Sequence, residues 1–291
     1  MASEDGKDKG GEGEPGDSSS RRGGDEPTLR AVPLDTPRAD ASDEAPTGEP
    51  DAPGARPRLR RRGIYLLPNL ITSGALFAGF YAIVAGMNGD FIAAALAIFV
   101  AFALDTADGR VARLTRTESD FGAEYDSLSD MVAFGVAPAL VAFSWGLSTL
   151  GNIGWVTTFV YMACAALRLA RFNVKGDNTS FTGLASPSAA AIIACCVWVY
   201  MAYVGTPPSI LTASIMGAIT VTVGLLMVSN FEYISPKMIN FKGRVPFVTL
   251  VFVVLGLSIL LVDPPTVLLG LFTVYALSGP AVYVWKRFFG N

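Results

Sequence analysis

The chain has 291 residues, of which 51% are hydrophobic and 16% are charged, and its formal net charge is −3. A mean hydropathy of +0.44 is too high for an ordinary water-soluble domain. The weak net charge argues against a nucleic-acid partner. Three cysteines and no histidine argue against a disulfide framework and exclude a histidine-containing metal site. We therefore expect a membrane protein in which carboxylates perform the ionic chemistry.

Residues 1–63 form a polar segment rich in Gly, Pro, Ser, Asp, Glu and Arg. Such a composition cannot bury enough apolar surface to offset its ordering entropy, so we predict a disordered cytoplasmic tail. The tail ends in a basic run at residues 56–62, just before the first hydrophobic segment. We interpret this run as a topogenic charge cluster, and contact with anionic lipid is the alternative interpretation.

Eight hydrophobic segments follow the tail, and each is close to the 20 or so residues that span a bilayer. Their approximate bounds are 66–87, 91–113, 122–147, 153–172, 187–204, 209–229, 246–262 and 266–285. They predict an all-α polytopic membrane protein with about eight transmembrane helices. With a cytoplasmic N-terminus, none of the 22 Lys and Arg residues falls in an external loop, as the positive-inside rule requires. We therefore predict a multi-pass protein of the cytoplasmic (inner) membrane with both termini inside.

Four aspartates lie near the junction of the second and third segments. Asp105 and Asp108 are three residues apart, and Asp126 and Asp130 are four apart, so each pair occupies one face of a helix. A turn near residue 117 would bring the two pairs to matching depths in an antiparallel hairpin on the cytoplasmic side. Ionisable side chains in a membrane segment are costly unless they are paired, hydrated or metal-bound. The cluster therefore predicts a functional site that binds divalent cations.

Neighbouring residues favour phosphoryl transfer at this site. Ser119 is a candidate N-cap for the second helix of the hairpin, and Arg113 offers a guanidinium to a phosphate oxygen. Small residues leave room for a ligand or a second backbone, namely Gly109, Ala112, Gly122 and Ala123. In such a site, two divalent ions can clamp the attacking and leaving oxygens of an in-line displacement.

The hairpin resembles the CDP-alcohol phosphotransferase family. Its residues match every fixed position of that family's signature, D-x2-D-G-x2-A-R-x8-G-x3-D-x3-D, between Asp105 and Asp130. The family core has six helices, so the resemblance covers roughly residues 64–230. Residues 231–291 are then a cytoplasmic loop followed by two additional C-terminal transmembrane helices.

The resemblance also implies roles for individual residues. Two divalent ions, Mg2+ or Mn2+, are expected on Asp105, Asp108, Asp126 and Asp130, with Asp130 also acting as the general base. The CDP-lipid is expected to contact Thr72, Asp105, Asp108, Gly109, Ala112, Arg113 and Gly122. The expected partners are CDP-diacylglycerol, an acceptor alcohol, membrane lipids and a second copy of the chain in a homodimer.

Four short segments resemble family motifs, and three of them bear on the acceptor because they resemble the phosphatidylserine synthases of bacteria and archaea. Those three are LRLARFN at 167–173, FTGLASPSAA at 181–190 and FGVAP at 134–138. The second departs from the subgroup pattern at Ala185 and Ser188. The fourth, PNLIT at 68–72, is similar to the opening of the first span across the wider family and includes Thr72.

Serine is therefore the expected acceptor, with phosphatidylserine and CMP as products. Its carboxylate requires a fixed cation, and Arg168 and Arg171 lie on one helix face, with Asn173 as a further hydrogen-bonding candidate. Anchoring at the cytoplasmic surface is the alternative role for these arginines. Transferases for glycerol phosphate, inositol phosphate or choline, and an archaeal-lipid serine synthase, are alternative functions. A cation transporter is a distant alternative, since transporters also hold carboxylates within the membrane.

Overall fold

The computed structural model describes residues 59–175, 182–233 and 247–289. Residues 1–58 of the expected disordered tail and most of the expected 231–246 loop lie outside the described residues. The first helix begins at Leu59, so the last residues of the basic run are helical and continuous with the first span. This boundary lies five residues before the expected start of the membrane core at residue 64.

The described part of the chain consists of eight long helices joined by short connections. They are α1 Leu59–Met87, α2 Phe91–Thr115, α3 Asp120–Trp145, α4 Asn152–Lys175, α5 Ser186–Tyr203, α6 Ile210–Val228, α7 Phe247–Val262 and α8 Pro264–Phe289. Seven of these are long and apolar enough to cross a membrane, and α7, with 16 residues, is the exception. The predicted all-α polytopic membrane fold is confirmed.

Small residues line the contact between α1 and its neighbours. Ala82 of α1 and Ala94 of α2 are fully buried, and the backbones of the two helices approach closely. At the contact between α1 and α3, a Cβ atom on Gly79 would lie only 2.7 Å from the Cα atom of Ala133. Without a strong hydrophobic force between helices in lipid, such close packing supplies much of their association.

Helix α3 changes its winding in the middle. Its first part, Asp120–Asp130, is α-helical, Met131–Val136 form a π-helical turn, and Ala137–Trp145 return to α-helix. The buried Tyr161 hydroxyl of α4 donates to the carbonyl oxygen of Phe134 in this turn, at 2.9 Å. The turn therefore immediately follows the last aspartate of the signature, and π-helical turns of this kind are frequent at functional sites.

Helix α8 packs against α5 of the core. The segment after α6 is held to α8 by an ion pair of 2.7 Å between Glu232 and Lys286, which lowers the pKa of Glu232. Glu232 also forms an isolated antiparallel bridge with Thr182, just before α5. At the N-terminal end of α8, the Tyr203 hydroxyl donates to Asp263 at 2.6 Å and lowers the pKa of that carboxyl. The second of the two additional helices is therefore part of the compact bundle.

Candidate active site

The hairpin of α2 and α3 turns where the sequence predicts. Helix α2 ends at Thr115, Arg116 adopts a left-handed conformation with φ 53°, and the Thr117 amide donates to the carbonyl oxygen of Ala112. This is a common way to end a helix and satisfy its last carbonyls. The predicted Ser119 cap is confirmed, because its hydroxyl oxygen accepts a 3.1 Å hydrogen bond from the Gly122 amide.

Three aspartates converge between α2 and α3. Single carboxylate oxygens of Asp105, Asp108 and Asp126 lie within 4.8 Å of one another. Asp108 is 4% exposed, and the Thr72 hydroxyl of α1 donates to its Oδ2 at 2.8 Å. Carboxylate oxygens are the donors that hard divalent cations such as Mg2+ prefer, so this set fits a metal ion. The same set, without a neutralising cation, would be strongly repulsive in a membrane protein.

Asp130 lies beside this triad and is not one of its three members. Its carboxyl group interacts electrostatically with those of Asp105 and Asp126. It also interacts electrostatically with Arg168 of α4. Asp130 thus interacts both with carboxylates that could hold a metal ion and with a predicted acceptor residue.

A cavity of about 310 Å3 opens next to the triad. Among the residues expected to contact the CDP-lipid, all except Asp105 line this cavity, namely Thr72, Asp108, Gly109, Ala112, Arg113 and Gly122. A Cβ atom on Gly122 would lie 3.1 Å from the Ser119 hydroxyl oxygen and 3.4 Å from the side-chain oxygen of Asn69. Glycine therefore keeps this part of the cavity open for a ligand.

The arginine of the signature lies at the edge of the cavity. The Nε of Arg113 donates to the carbonyl oxygen of Gly109 at 2.8 Å, and the side chain is exposed. This bond orients the guanidinium and leaves its Nη groups for another acceptor. A bidentate donor in this position suits a phosphate group.

Several cavity residues were not among those predicted to contact the CDP-lipid. These are Pro68, Asn69, Thr117, Glu118, Ser119, Ala123 and Asp126. Asp126 was expected only as a metal ligand. Asn69 belongs to the PNLIT segment, so that resemblance carried a signal for it. Thr117 and Glu118 line the cavity because the chain turns at the left-handed Arg116, and no local motif of this sequence indicates that conformation.

The three residues expected to bind the acceptor have different partners. The Nη1 of Arg168 donates to the hydroxyl of Ser186 at 2.9 Å, while its buried Nε has no hydrogen-bond partner among the described residues. Arg171 donates to the Thr182 hydroxyl at 2.9 Å and to the Val228 carbonyl at 3.4 Å.

The third of them, Asn173, accepts a 3.2 Å bond from Ser127 of α3. Its side chain is exposed, and Ser127 directly follows Asp126, one of the predicted metal ligands. Among the three, Arg168 is therefore the residue that combines a buried donor without a partner among the described residues with an electrostatic interaction with Asp130.

The chain matches known proteins over most of the core. A family model described as CDP-alcohol phosphatidyltransferase matches residues 65–228. A protein from Helicobacter pylori (strain ATCC 700392 / 26695), named CDP-diacylglycerol–serine O-phosphatidyltransferase, is 36% identical over 220 residues, which are 74% of this chain and 90% of its own. Proteins with the same name from Methanocaldococcus jannaschii and Mycobacterium leprae are 36% and 40% identical. They match over 190 and 148 residues, which cover 64% and 48% of this chain and 82% and 49% of theirs.

Proposed function

The chain belongs to the CDP-alcohol phosphatidyltransferase family, and we propose that it transfers the phosphatidyl group of CDP-diacylglycerol to L-serine and releases CMP. The relatives named above support serine as the acceptor. The observation that carries the proposal is the buried Nε of Arg168, which has no hydrogen-bond partner among the described residues and belongs to a guanidinium that interacts electrostatically with Asp130. In serine the hydroxyl oxygen and the carboxylate are separated by only three bonds, so one acceptor can reach both a base and a fixed cation of the same site.

The divalent ions, Mg2+ or Mn2+, would be held by Asp105, Asp108 and Asp126, with Asp130 contributing to a second ion. When bound, such ions neutralise the pyrophosphate and stabilise the charge of the departing phosphate. Arg113 adds a fixed positive charge at the cavity, and Gly109 and Gly122 allow the nucleotide to approach the backbone.

The reaction forms one bond and breaks one. The serine hydroxyl loses its proton to the Asp130 carboxylate, and its oxygen attacks the phosphorus that carries diacylglycerol. The phosphoanhydride bond between that phosphorus and CMP breaks, and CMP leaves with the bonding electron pair. Because the reactants are held together in one site, positioning supplies a large share of the acceleration.

Arg168 would bind the serine carboxylate through its Nε, which has no hydrogen-bond partner among the described residues. Arg171 and Asn173 would shape the same region, since their contacts join α4 to the start of α5, the end of α6 and α3. Arg171 therefore supports the acceptor site through the segment that precedes α5.

The site and both termini would face the cytoplasm, where serine and nucleotide-activated lipid are available. The absence of Lys and Arg from the expected external loops supports this orientation. We further propose a homodimer, on the basis of the family resemblance.

The test is release of CMP by purified protein in detergent, with CDP-diacylglycerol and Mn2+ or Mg2+. L-Serine, glycerol 3-phosphate, inositol phosphate and choline are offered separately. We expect release with serine only, and none after chelation of the metal. Release with a phosphorylated polyol instead would be consistent with the proposed metal site and would reject serine as the acceptor. Absence of release with every acceptor, from protein of normal thermal stability, would reject the enzyme function.

A further inference from the structure

A second cavity, of about 410 Å3, opens at the C-terminal end of α8 and shares no lining residue with the cavity beside the aspartates. Cavities of a few hundred Å3 are large enough to hold a small ligand or the headgroup of a larger one. The lining comes from the segment after α6 and from the last turns of α8, namely Asn230, Glu232, Val282, Tyr283, Lys286 and Arg287. In the proposed orientation, both segments lie at the cytoplasmic surface of the membrane, at the level of the lipid headgroups.

The two walls of this cavity are joined to each other. Lys286 of α8 donates to the Glu232 carboxylate at 2.7 Å, and the ring of Tyr283 packs against that of Phe231 with 5.2 Å between their centroids. The backbone of Glu232 is in turn bridged to Thr182, just before α5. The cavity is therefore a built feature of the bundle, held by contacts among three segments of the chain.

The charged groups of the lining leave an excess of one positive charge. Lys286 and Arg287 contribute two cations, and Glu232 contributes one carboxylate, which is already paired with Lys286. Within the part of the chain that the structure describes, Arg287 has no carboxylate partner, and its Nη1 lies 3.5 Å from the Tyr283 hydroxyl oxygen. An arginine at a membrane surface with its guanidinium available is well suited to bind phosphate oxygens.

Helix α8 also offers an apolar surface to lipid chains beside this cavity. Only 11% of its membrane-spanning window is buried, against 33–56% for the other six helices that can cross the membrane. Three exposed apolar side chains, Leu277, Val284 and Phe288, fall on one face of α8. Val284 precedes Arg287 by three residues, so the apolar face and the cationic lining are neighbours on the helix surface.

We propose that this cavity binds the headgroup of an anionic phospholipid, with the phosphate against Arg287 and the acyl chains along the apolar face of α8. A zwitterionic headgroup would bring an ammonium group toward Lys286 and Arg287, while the Glu232 carboxylate is already paired. A headgroup of net negative charge therefore fits the lining better. A soluble phosphate compound would gain nothing from the apolar face. Because the aspartates lie in a different cavity, the lipid bound here is not the substrate of the proposed transfer.

The test titrates the purified full-length protein in detergent with phosphatidylglycerol and measures bound lipid by native mass spectrometry. Phosphatidylcholine with the same acyl chains is the zwitterionic comparison, and glycerophosphoglycerol is the soluble headgroup. We expect Arg287→Gln to weaken binding of phosphatidylglycerol about tenfold, the effect typical of losing a hydrogen bond between charged groups. The wild-type protein should bind phosphatidylcholine several-fold more weakly and should bind glycerophosphoglycerol more weakly still.

Arg110→Gln is the matched control, because Arg110 is an exposed basic residue near the same end of α2 and lines neither cavity. It removes the same charge and should leave binding unchanged. Arg287 is exposed, so Arg287→Gln without added lipid should melt at the wild-type temperature.

Unchanged binding in Arg287→Gln, or an equal loss in both glutamine variants, would overturn the inference. Equal affinity for the two lipids would reject an anionic site, and equal affinity for glycerophosphoglycerol would reject a lipid site. None of these measurements uses CMP release, so their outcome is independent of the proposed transferase activity.

Discussion

Thr72 illustrates how a residue outside the carboxylate cluster can determine its geometry. Its hydroxyl donates to the Asp108 carboxylate at 2.8 Å, and its own carbonyl oxygen accepts a 3.2 Å bond from Ser129 of α3. One residue of α1 thereby contacts both helices of the hairpin. Groups that orient metal ligands in this way commonly change metal affinity when they are removed.

We expect Thr72→Val to weaken the apparent affinity for Mn2+ or Mg2+ by about tenfold, because the Asp108 carboxylate loses its orienting donor. The measurement is the metal concentration that gives half-maximal CMP release. Ser73→Ala is the control, since Ser73 contacts Tyr125 and the Asn69 carbonyl rather than an aspartate. Equal metal dependence of Thr72→Val and the wild-type protein would contradict the proposed role.

Asp130→Asn separates the general base from substrate binding. The amide keeps the size of the side chain and cannot accept the hydroxyl proton, so turnover should fall by a factor of about 10²–10⁴. Binding of CDP-diacylglycerol, measured by isothermal titration, should be largely retained, because Asp130 does not line the cavity. Asp120→Asn, at the exposed start of α3, is the control. Near-normal turnover of Asp130→Asn would reject the base assignment.

The two arginines of α4 should respond differently to the same substitution. Arg168→Lys removes the planar donor set beside Asp130, so KM for serine should rise at least tenfold with little change in thermal stability. Arg171→Lys disrupts contacts to Thr182 and Val228, so it should lower the melting temperature and affect both substrates together. The reverse pattern would mean that Arg171 is the acceptor cation.

At the scale of elements, the contact between α1 and α3 is the most sensitive to side-chain size. Gly79→Ala would place a methyl group 2.7 Å from the Ala133 Cα, so the helices must separate. We expect a loss of about 1–3 kcal/mol, measured as a lower melting temperature in detergent. Gly270→Ala of α8 is the control, because no atom lies within 4 Å of its added methyl group. If both variants melt alike, the packing argument fails.

The hairpin could be predicted from sequence because its determinants are local. The spacing of Asp105 and Asp108, and of Asp126 and Asp130, fixes a helix face, and Ser119 marks the start of α3. The separate partners of Arg168 and Arg171 could not be predicted, although their spacing suggested one shared face. Those partners lie 11–57 positions away in the chain, and no periodic pattern encodes such contacts.

At the scale of the whole molecule, hydropathy was sufficient to predict the number and order of the long helices. It predicted α7 and α8 as additions to the core and could not indicate which core helix α8 packs against. The contact between α8 and α5 is a matter of tertiary structure. The composition of a lipid-embedded helix is similar on every face, so sequence alone carries little information about its neighbours.

The proposed orientation predicts which loops can be reached from each side of the membrane. In a variant with alanine at Cys164, Cys195 and Cys196, we expect Glu118→Cys to react with an impermeant maleimide only from the cytoplasmic side. Thr206→Cys, in the connection between α5 and α6, should react only from outside. Both residues are exposed, so the comparison tests the side of the membrane rather than burial. Reaction of Glu118→Cys from outside would invert the topology.

Because of the π-helical turn at Met131–Val136, the geometry of α3 depends on how many residues this segment has as well as on which residues they are. Such a turn accommodates one residue more than an α-helix of equal length, and each residue of an α-helix contributes about 100° of rotation. Deleting a single residue there would restore regular α-helical winding and leave the rotation of Asp126 and Asp130 nearly unchanged, but it would remove the widened turn whose Phe134 carbonyl oxygen accepts from Tyr161. The number of residues in this segment is therefore a requirement of the wide turn and of its contact with α4, which substitutions can leave intact.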